Sequence, residues 1–160
     1  MLFRSQKQKM AVRLVAGARY NAHTEPLFKA QKILPLDQLI EFAKLQFMHS
    51  YVNGFLPSTF NDTWLTNQER QLNTNMPGLR SGNELYVPFA RTSQCQRLPL
   101  WSFAKTWNCL EDHSVKIQRN KTAFNTALKR NMFDKLTENY ICERLLCPFC
   151  HLGRNLFAQI

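Results

Sequence analysis

The sequence has no uncharged apolar run long enough to span a bilayer, and its first ten residues, MLFRSQKQKM, hold no apolar core of signal-peptide length. The expectation is an intracellular chain, nuclear or cytoplasmic, with no membrane partner. Carboxylates are scarce: 11 Asp and Glu against 21 Lys and Arg leave a formal net charge of +10 over 160 residues. Such an excess points to a polyanion, because clustered Lys and Arg release condensed counterions when they meet phosphates; the plain alternative is a basic but otherwise unremarkable surface. Five cysteines, an odd set with three crowded near the C-terminus, do not form a secreted disulfide framework and fit reduced thiols or a metal site better. There is no internal repeat and no low-complexity tract.

An apolar share of 44% with 20% charged residues is ordinary for a globular protein, and the length suits one domain with its own core. Residues 4–18 carry apolar side chains at Phe3, Met10, Leu14, Val15 and Ala18, with Arg4, Lys7, Lys9 and Arg13 between them, which predicts an amphipathic helix ending near Gly17. Seven basic side chains in residues 1–32 (Arg4, Lys7, Lys9, Arg13, Arg19, Lys29, Lys32) face one acid, Glu25, so more than half of the net charge sits in one fifth of the chain. Within YNAHTEPLFK, Thr24 is placed to cap a helix, Glu25 to complement its positive end and Pro26 to occupy its first turn. This reads as a helix start. The competing reading makes His23 and Glu25 a catalytic or metal pair, which requires neighbours two apart to point the same way.

The run LDQLIEFAKLQFMHSYVNG predicts a helix over 37–53, with Leu36, Leu39, Ile40, Ala43, Phe47 and Tyr51 on one face, Phe42, Leu45 and Met48 widening it, and Gly54 as its stop. His49, near its end, reads as structural rather than catalytic. From Pro57 to Arg97 the pattern is turn-rich, and only NELYVPF has the composition of a short extended segment, confined to an edge by Pro88. A stretch so irregular is expected to pack on something outside the chain or to stay mobile. LPLWSFAKTWNCL reads as an aromatic packing anchor, or as a base-stacking surface in the manner of single-strand binders. A second basic helix follows, capped by Asn120 or Thr122. Phe124, Leu128, Met132 and Leu136 form its seam, Lys121, Lys129, Arg130 and Lys135 project elsewhere, and Lys116 and Arg119 precede it. The fold expected is mainly α: a small helical domain with an irregular central segment and at most a short extended stretch.

ICERLLCPFCHLG brings Cys142, Cys147, Cys150 and His151 within ten residues, and a CxxC pair lets two thiolates reach one zinc from a tight turn. Adjacent Cys150 and His151 point apart, so a closed site from these four is strained; Cys95 and Cys109 are candidate replacements, and free thiols are the alternative. No cofactor other than this zinc is expected.

Three stretches together resemble one family: KMAVRLVAGARYNAHTEPLFKAQKILPLDQLIEFAKLQFMHSYVNGFLPSTF, then NELYVPFARTSQCQRLPL with SFAKTWN, then ERLLCPFCHLG. They resemble the C-terminal part of reverse transcriptases from LINE-like, non-LTR retrotransposons, the region after the polymerase palm, over most of residues 9–153. The most specific pieces are YNAHTEPLFK and YVPFART. The resemblance implies a helical thumb and post-thumb region over 1–140, which contacts RNA or DNA, and a cysteine-containing tail over 141–160. It also implies a palm domain as missing partner. Nothing matches that palm: no Tyr-x-Asp-Asp box and no adjacent aspartate pair occurs, so the two-metal site of phosphoryl transfer cannot be assembled. Ala104 departs from the proline expected in SFAK.

The chain is therefore expected to be a truncated, non-catalytic reverse transcriptase fragment, with no small-molecule substrate. Arg4, Lys7, Lys9, Arg13, Arg19, Lys29 and Lys32, supplemented by Lys121, Lys129 and Arg130, would meet phosphates. The alternative is a helical protein-interaction or structural remnant whose helix 37–53 meets a partner. A stand-alone enzyme is the poorest reading, since no set of base, nucleophile and orienting group is visible.

Overall fold

A computed structural model describes residues 2–74 and 82–138. The fold is mainly α, with eight α-helices among the described residues: α1 (Leu2–Val15), α2 (Glu25–Ala30), α3 (Leu36–Val52), α4 (Asn67–Thr74), α5 (Ser93–Arg97), α6 (Pro99–Asn108), α7 (His113–Lys116) and α8 (Lys121–Glu138). None of them is long and apolar enough to cross a membrane. The proposed boundary at residue 141 lies outside the described residues. The chain divides into two compact units, Met1–Ile40 with Leu128–Ile160, and Glu41–Ala127.

In the first unit α1 stops where Gly17 adopts φ +61, a backbone region closed to most L residues. The Gly17 N–H then bonds the Leu14 carbonyl and the Ala18 N–H the Arg13 carbonyl, satisfying two of the last carbonyls of the helix. The buried stripe differs from the expected one: Val12 is buried, with Ser5, Gln8 and Ala16 half-buried beside it, whereas Leu14 is 82% exposed and Val15 also faces water. Gln8 replaces a backbone partner on either side of Pro35, which has no N–H to give. Its Nε2 donates to the Leu34 carbonyl at 3.0 Å, and its Oε1 accepts from the Leu36 N–H at 2.7 Å. α2 begins beside Thr24 with Pro26 in its first turn, as expected, but the Thr24 side chain makes no capping bond. Thr24 has helical backbone angles and is itself buried, and its carbonyl already receives the Phe28 N–H.

The second unit is held by rings. Phe47 on α3 makes edge contacts with Phe60, Trp64 and Phe103, and Tyr51 makes another with Trp64. The Tyr51 hydroxyl donates to the Trp64 carbonyl at 2.7 Å and accepts from the Trp64 N–H at 3.1 Å, while the Trp64 indole N–H reaches the Leu100 carbonyl. Leu45, Met48, His49 and Ser50 are the buried residues of α3; of the expected stripe, Phe47 and Tyr51 pack in the ring cluster while Leu39 and Ala43 are exposed, so the core side joins the later part of that stripe to the widening residues.

The central segment, expected to be mostly irregular, has three short helical pieces among its described residues. It contains α4, α5 and the short 3₁₀ turn Ser58–Phe60, and it packs on this chain through Trp64 and Leu85. Asn108 on α6 holds Leu85 at both backbone groups, accepting from its N–H at 3.2 Å and donating to its carbonyl at 2.8 Å. An isolated antiparallel bridge pairs Leu85 with Thr66. LPLWSFAKTWNCL acts as the packing anchor: Ala104 and Trp107 are buried, and Phe103 lies against Trp64. α8 starts as predicted, with the Asn120 carboxamide accepting from the Thr122 N–H at 2.9 Å, and buries Phe124, Leu128 and Met132.

Candidate nucleic-acid interface

On α1 the buried stripe at 5, 8, 12 and 16 divides the cations into two pairs at helical spacing, Arg4 with Lys7 and Lys9 with Arg13. Arg4, Lys7 and Lys9 are exposed. The first turn of α1 contains no acid, so Arg4 sits at the positive end of a helix, an arrangement that costs stability and that a fold built for stability alone would avoid. Met10 and Leu14, four residues apart, are exposed on the side away from Val12.

Arg13 differs from the other cations. It is half-buried, and its Nε donates to the Ala22 carbonyl at 2.9 Å, so part of its guanidinium belongs to the loop between α1 and α2. Arg19, Lys29 and Lys32 are exposed. Arg4, Lys9, Arg19, Lys29 and Lys32 form no ion pair with any described residue. Lys32 stands at φ +53 after α2, where its N–H bonds the Lys29 carbonyl and the Ile33 N–H bonds the Phe28 carbonyl. A non-glycine residue in that conformation costs about 1 kcal/mol. His23 and Glu25 are both exposed on either side of buried Thr24.

On α8, Lys129, Arg130 and Lys135 are exposed, with the Lys129 ammonium 6.0 Å from the Phe133 ring centre. Lys121 is exposed and belongs to the unit Glu41–Ala127. Lys116 is half-buried; that desolvation pulls its ammonium below its ordinary value, against the opposing pull of Glu84 and Cys109.

Cys142, Cys147, Cys150 and His151 lie outside the described residues. Among the described residues no three His, Cys, Asp or Glu side chains converge as a metal site, and Cys95 and Cys109 are exposed free thiols. His49 is 0% exposed and stacks on Phe124 at 4.1 Å between ring centres. Its Nε2–H donates to the Gln118 carbonyl at 2.6 Å, which assigns it to the core.

Two residues went unnoticed in the sequence. Tyr20 is 83% exposed in the loop that Arg13 braces, and its signal was an aromatic beside Arg19 in a turn-forming stretch. Gln8 carried no signal, since a lone glutamine between lysines reads as solvent-facing. Comparison with known proteins finds no matching family model, no matching curated protein and no matching solved structure.

Proposed function

We propose that this chain is a non-catalytic piece of a retroelement reverse transcriptase, binding RNA or DNA through the cations of α1, the α1–α2 loop and α2. One observation carries the reading: residues 2–40 and 128–138 hold ten Lys and Arg against four Asp and Glu, net +6, and most of those cations are exposed. Long cationic side chains kept in water at a helix start do little for folding and suit a phosphate backbone. Kinship with LINE-like reverse transcriptases is supported by YNAHTEPLFK and YVPFART, and the lack of an adjacent aspartate pair supports a binding role without nucleotide transfer.

The test is fluorescence anisotropy with labelled RNA and DNA across a salt series. The logarithm of affinity should fall linearly with the logarithm of salt, and Arg4→Gln, Lys7→Gln and Lys9→Gln together should flatten the slope by about 0.7–0.9 for each phosphate that is no longer neutralised. Affinity that stays level between low and moderate salt, or is absent at both, rejects the reading. Primer extension with magnesium by the isolated chain would reject its non-catalytic half.

A second reading draws on Met10 and Leu14, apolar and exposed one turn apart on α1. That pair suits a protein partner, of which the palm implied by the resemblance is the natural case. Pull-down with a separately expressed palm, abolished by Leu14→Asp, is its test.

A further inference from the structure

The loop between α1 and α2 is more than a carrier of charge. At one end it is anchored by the paired bonds around Gly17, and at the other by buried Thr24. Between them residues 19–22 form a turn closed by the Ala22 N–H on the Arg19 carbonyl at 3.0 Å. The Arg13 Nε, 2.9 Å from the Ala22 carbonyl, braces that turn from the helix. Tyr20 sits at its tip and is 83% exposed.

A large ring held in water on a hydrogen-bonded turn forgoes the burial that aromatic side chains normally gain. It makes no ring contact with any described residue. The brace also fixes a cation on the turn that carries the ring: the terminal nitrogens of Arg13 have no partner among the described residues, and Arg19 is exposed beside Tyr20 in sequence. A flat π surface with a guanidinium held on the same turn matches one nucleotide unit, base and adjoining phosphate. A duplex hides its base faces in the stack and offers such a ring nothing. A strand with unpaired bases offers every face.

We infer that the 19–22 turn is a stacking point for one unpaired base of a single strand, on Tyr20, with Arg13 and Arg19 taking the neighbouring phosphates. The inference rests on the charge-based reading above and adds a substrate class to it: single strand over duplex. Because the ring is already displayed and has only two rotatable bonds, little conformational freedom is given up on binding.

The experiment compares wild type with Tyr20→Ala, Tyr20→Phe and Tyr20→Leu, binding one oligonucleotide as a single strand and as a duplex. Wild type should favour the single strand. Tyr20→Ala should weaken single-strand binding about tenfold while leaving duplex affinity and the salt slope unchanged. Tyr20→Phe should bind as wild type, and Tyr20→Leu should resemble Tyr20→Ala, since leucine keeps the apolar bulk and loses the π face. A fluorescent purine in the strand should be quenched by wild type and not by Tyr20→Ala. Equal single-strand affinity for wild type and Tyr20→Ala overturns the stacking point yet leaves the charge-based reading standing if the salt slope persists; no binding by wild type removes both. Full affinity in Tyr20→Leu overturns stacking in favour of plain apolar contact with the strand. A free nucleoside monophosphate competing as well as the strand overturns the assignment to strands. Circular dichroism of each variant should match wild type, because the substituted side chain is almost wholly in water.

Discussion

Residues 41–127 are held together by rings, with Phe47, Trp64 and Phe103 in mutual contact and His49 stacked on Phe124. Residues 2–40 and 128–138 bury Val12, Phe28, Leu34, Leu128 and Met132 without such a ring cluster and add side chains that serve as backbone partners, above all Gln8 around Pro35 and Arg13 at Ala22. Charge divides the same way: net +6 in the latter against net +3 in the former, from nine Lys and Arg and six Asp and Glu. Aromatic burial stabilises without regard to what faces water, so the ring-built unit is a scaffold. The polar ties of the other unit contribute less, and its surface carries cations where a helix end or a left-handed backbone would favour other residues.

The comparison breaks first if the ring cluster is dispensable. Trp64 is buried, bonded through its indole N–H and gripped at both backbone groups by Tyr51. Trp64→Ala should cost about 3–5 kcal/mol in denaturant unfolding and remove most of the near-ultraviolet circular dichroism. A cost below about 1 kcal/mol would show that the rings are ornament.

Gln8→Ala tests the polar unit and should cost less, about 1–3 kcal/mol, because it leaves the Leu36 N–H and the Leu34 carbonyl without their partner in a half-buried site. Asn108→Ala, which releases Leu85 in the other unit, should fall in the same range. Agreement between the two would show that a side-chain clamp on backbone has similar worth in either setting.

Lys32→Gly sharpens the contrast in a different direction. Glycine accepts φ +53 without strain, and after its greater freedom in the unfolded chain is set against that gain, the variant should be stabilised by about 0.5 kcal/mol at most. The same change removes an exposed cation, so nucleic-acid affinity should fall while melting temperature rises. Thermal melts and anisotropy on one preparation read both signs.

Some of this was legible before the structure. The seam of α8 follows from Phe124, Leu128 and Met132 at four-residue spacing behind the Asn120 cap, and the ends of α1 and α3 follow from Gly17 and Gly54, both at positive φ. α3 was harder to orient because it is apolar on most sides. The tertiary partners of His49, the Gln118 carbonyl and the Phe124 ring, decide which side is buried. α4 was missed because NQERQLNT has no apolar period, although Thr66 and Glu69 carry the spacing of a capping box just ahead of it. At the candidate interface, charge could be counted from sequence alone. That Arg13 is shared with Ala22, and that Tyr20 is displayed beside it, depends on a turn that composition does not encode.

That capping box supplies a comparably small predicted effect. The Glu69 carboxylate accepts from the Thr66 N–H at 2.7 Å and from its hydroxyl at 2.8 Å, while the Glu69 N–H donates to the Thr66 hydroxyl at 3.2 Å. The backbone bond first, then the hydroxyl bond, holds the carboxyl below its ordinary value of 4.5, against a slight opposing effect of burial. A folded value below the unfolded one means that the contribution is present above pH 4.5 and is lost as pH falls through the lowered folded value. Because the carboxylate is exposed and screened, Glu69→Gln, which keeps the box and removes the charge, should cost only about 0.5 kcal/mol at neutral pH. Below the folded value, wild type and Glu69→Gln should unfold together. A gap between the two that persists into strong acid would mean that the amide disturbs the box itself, and that charge has no part in starting α4.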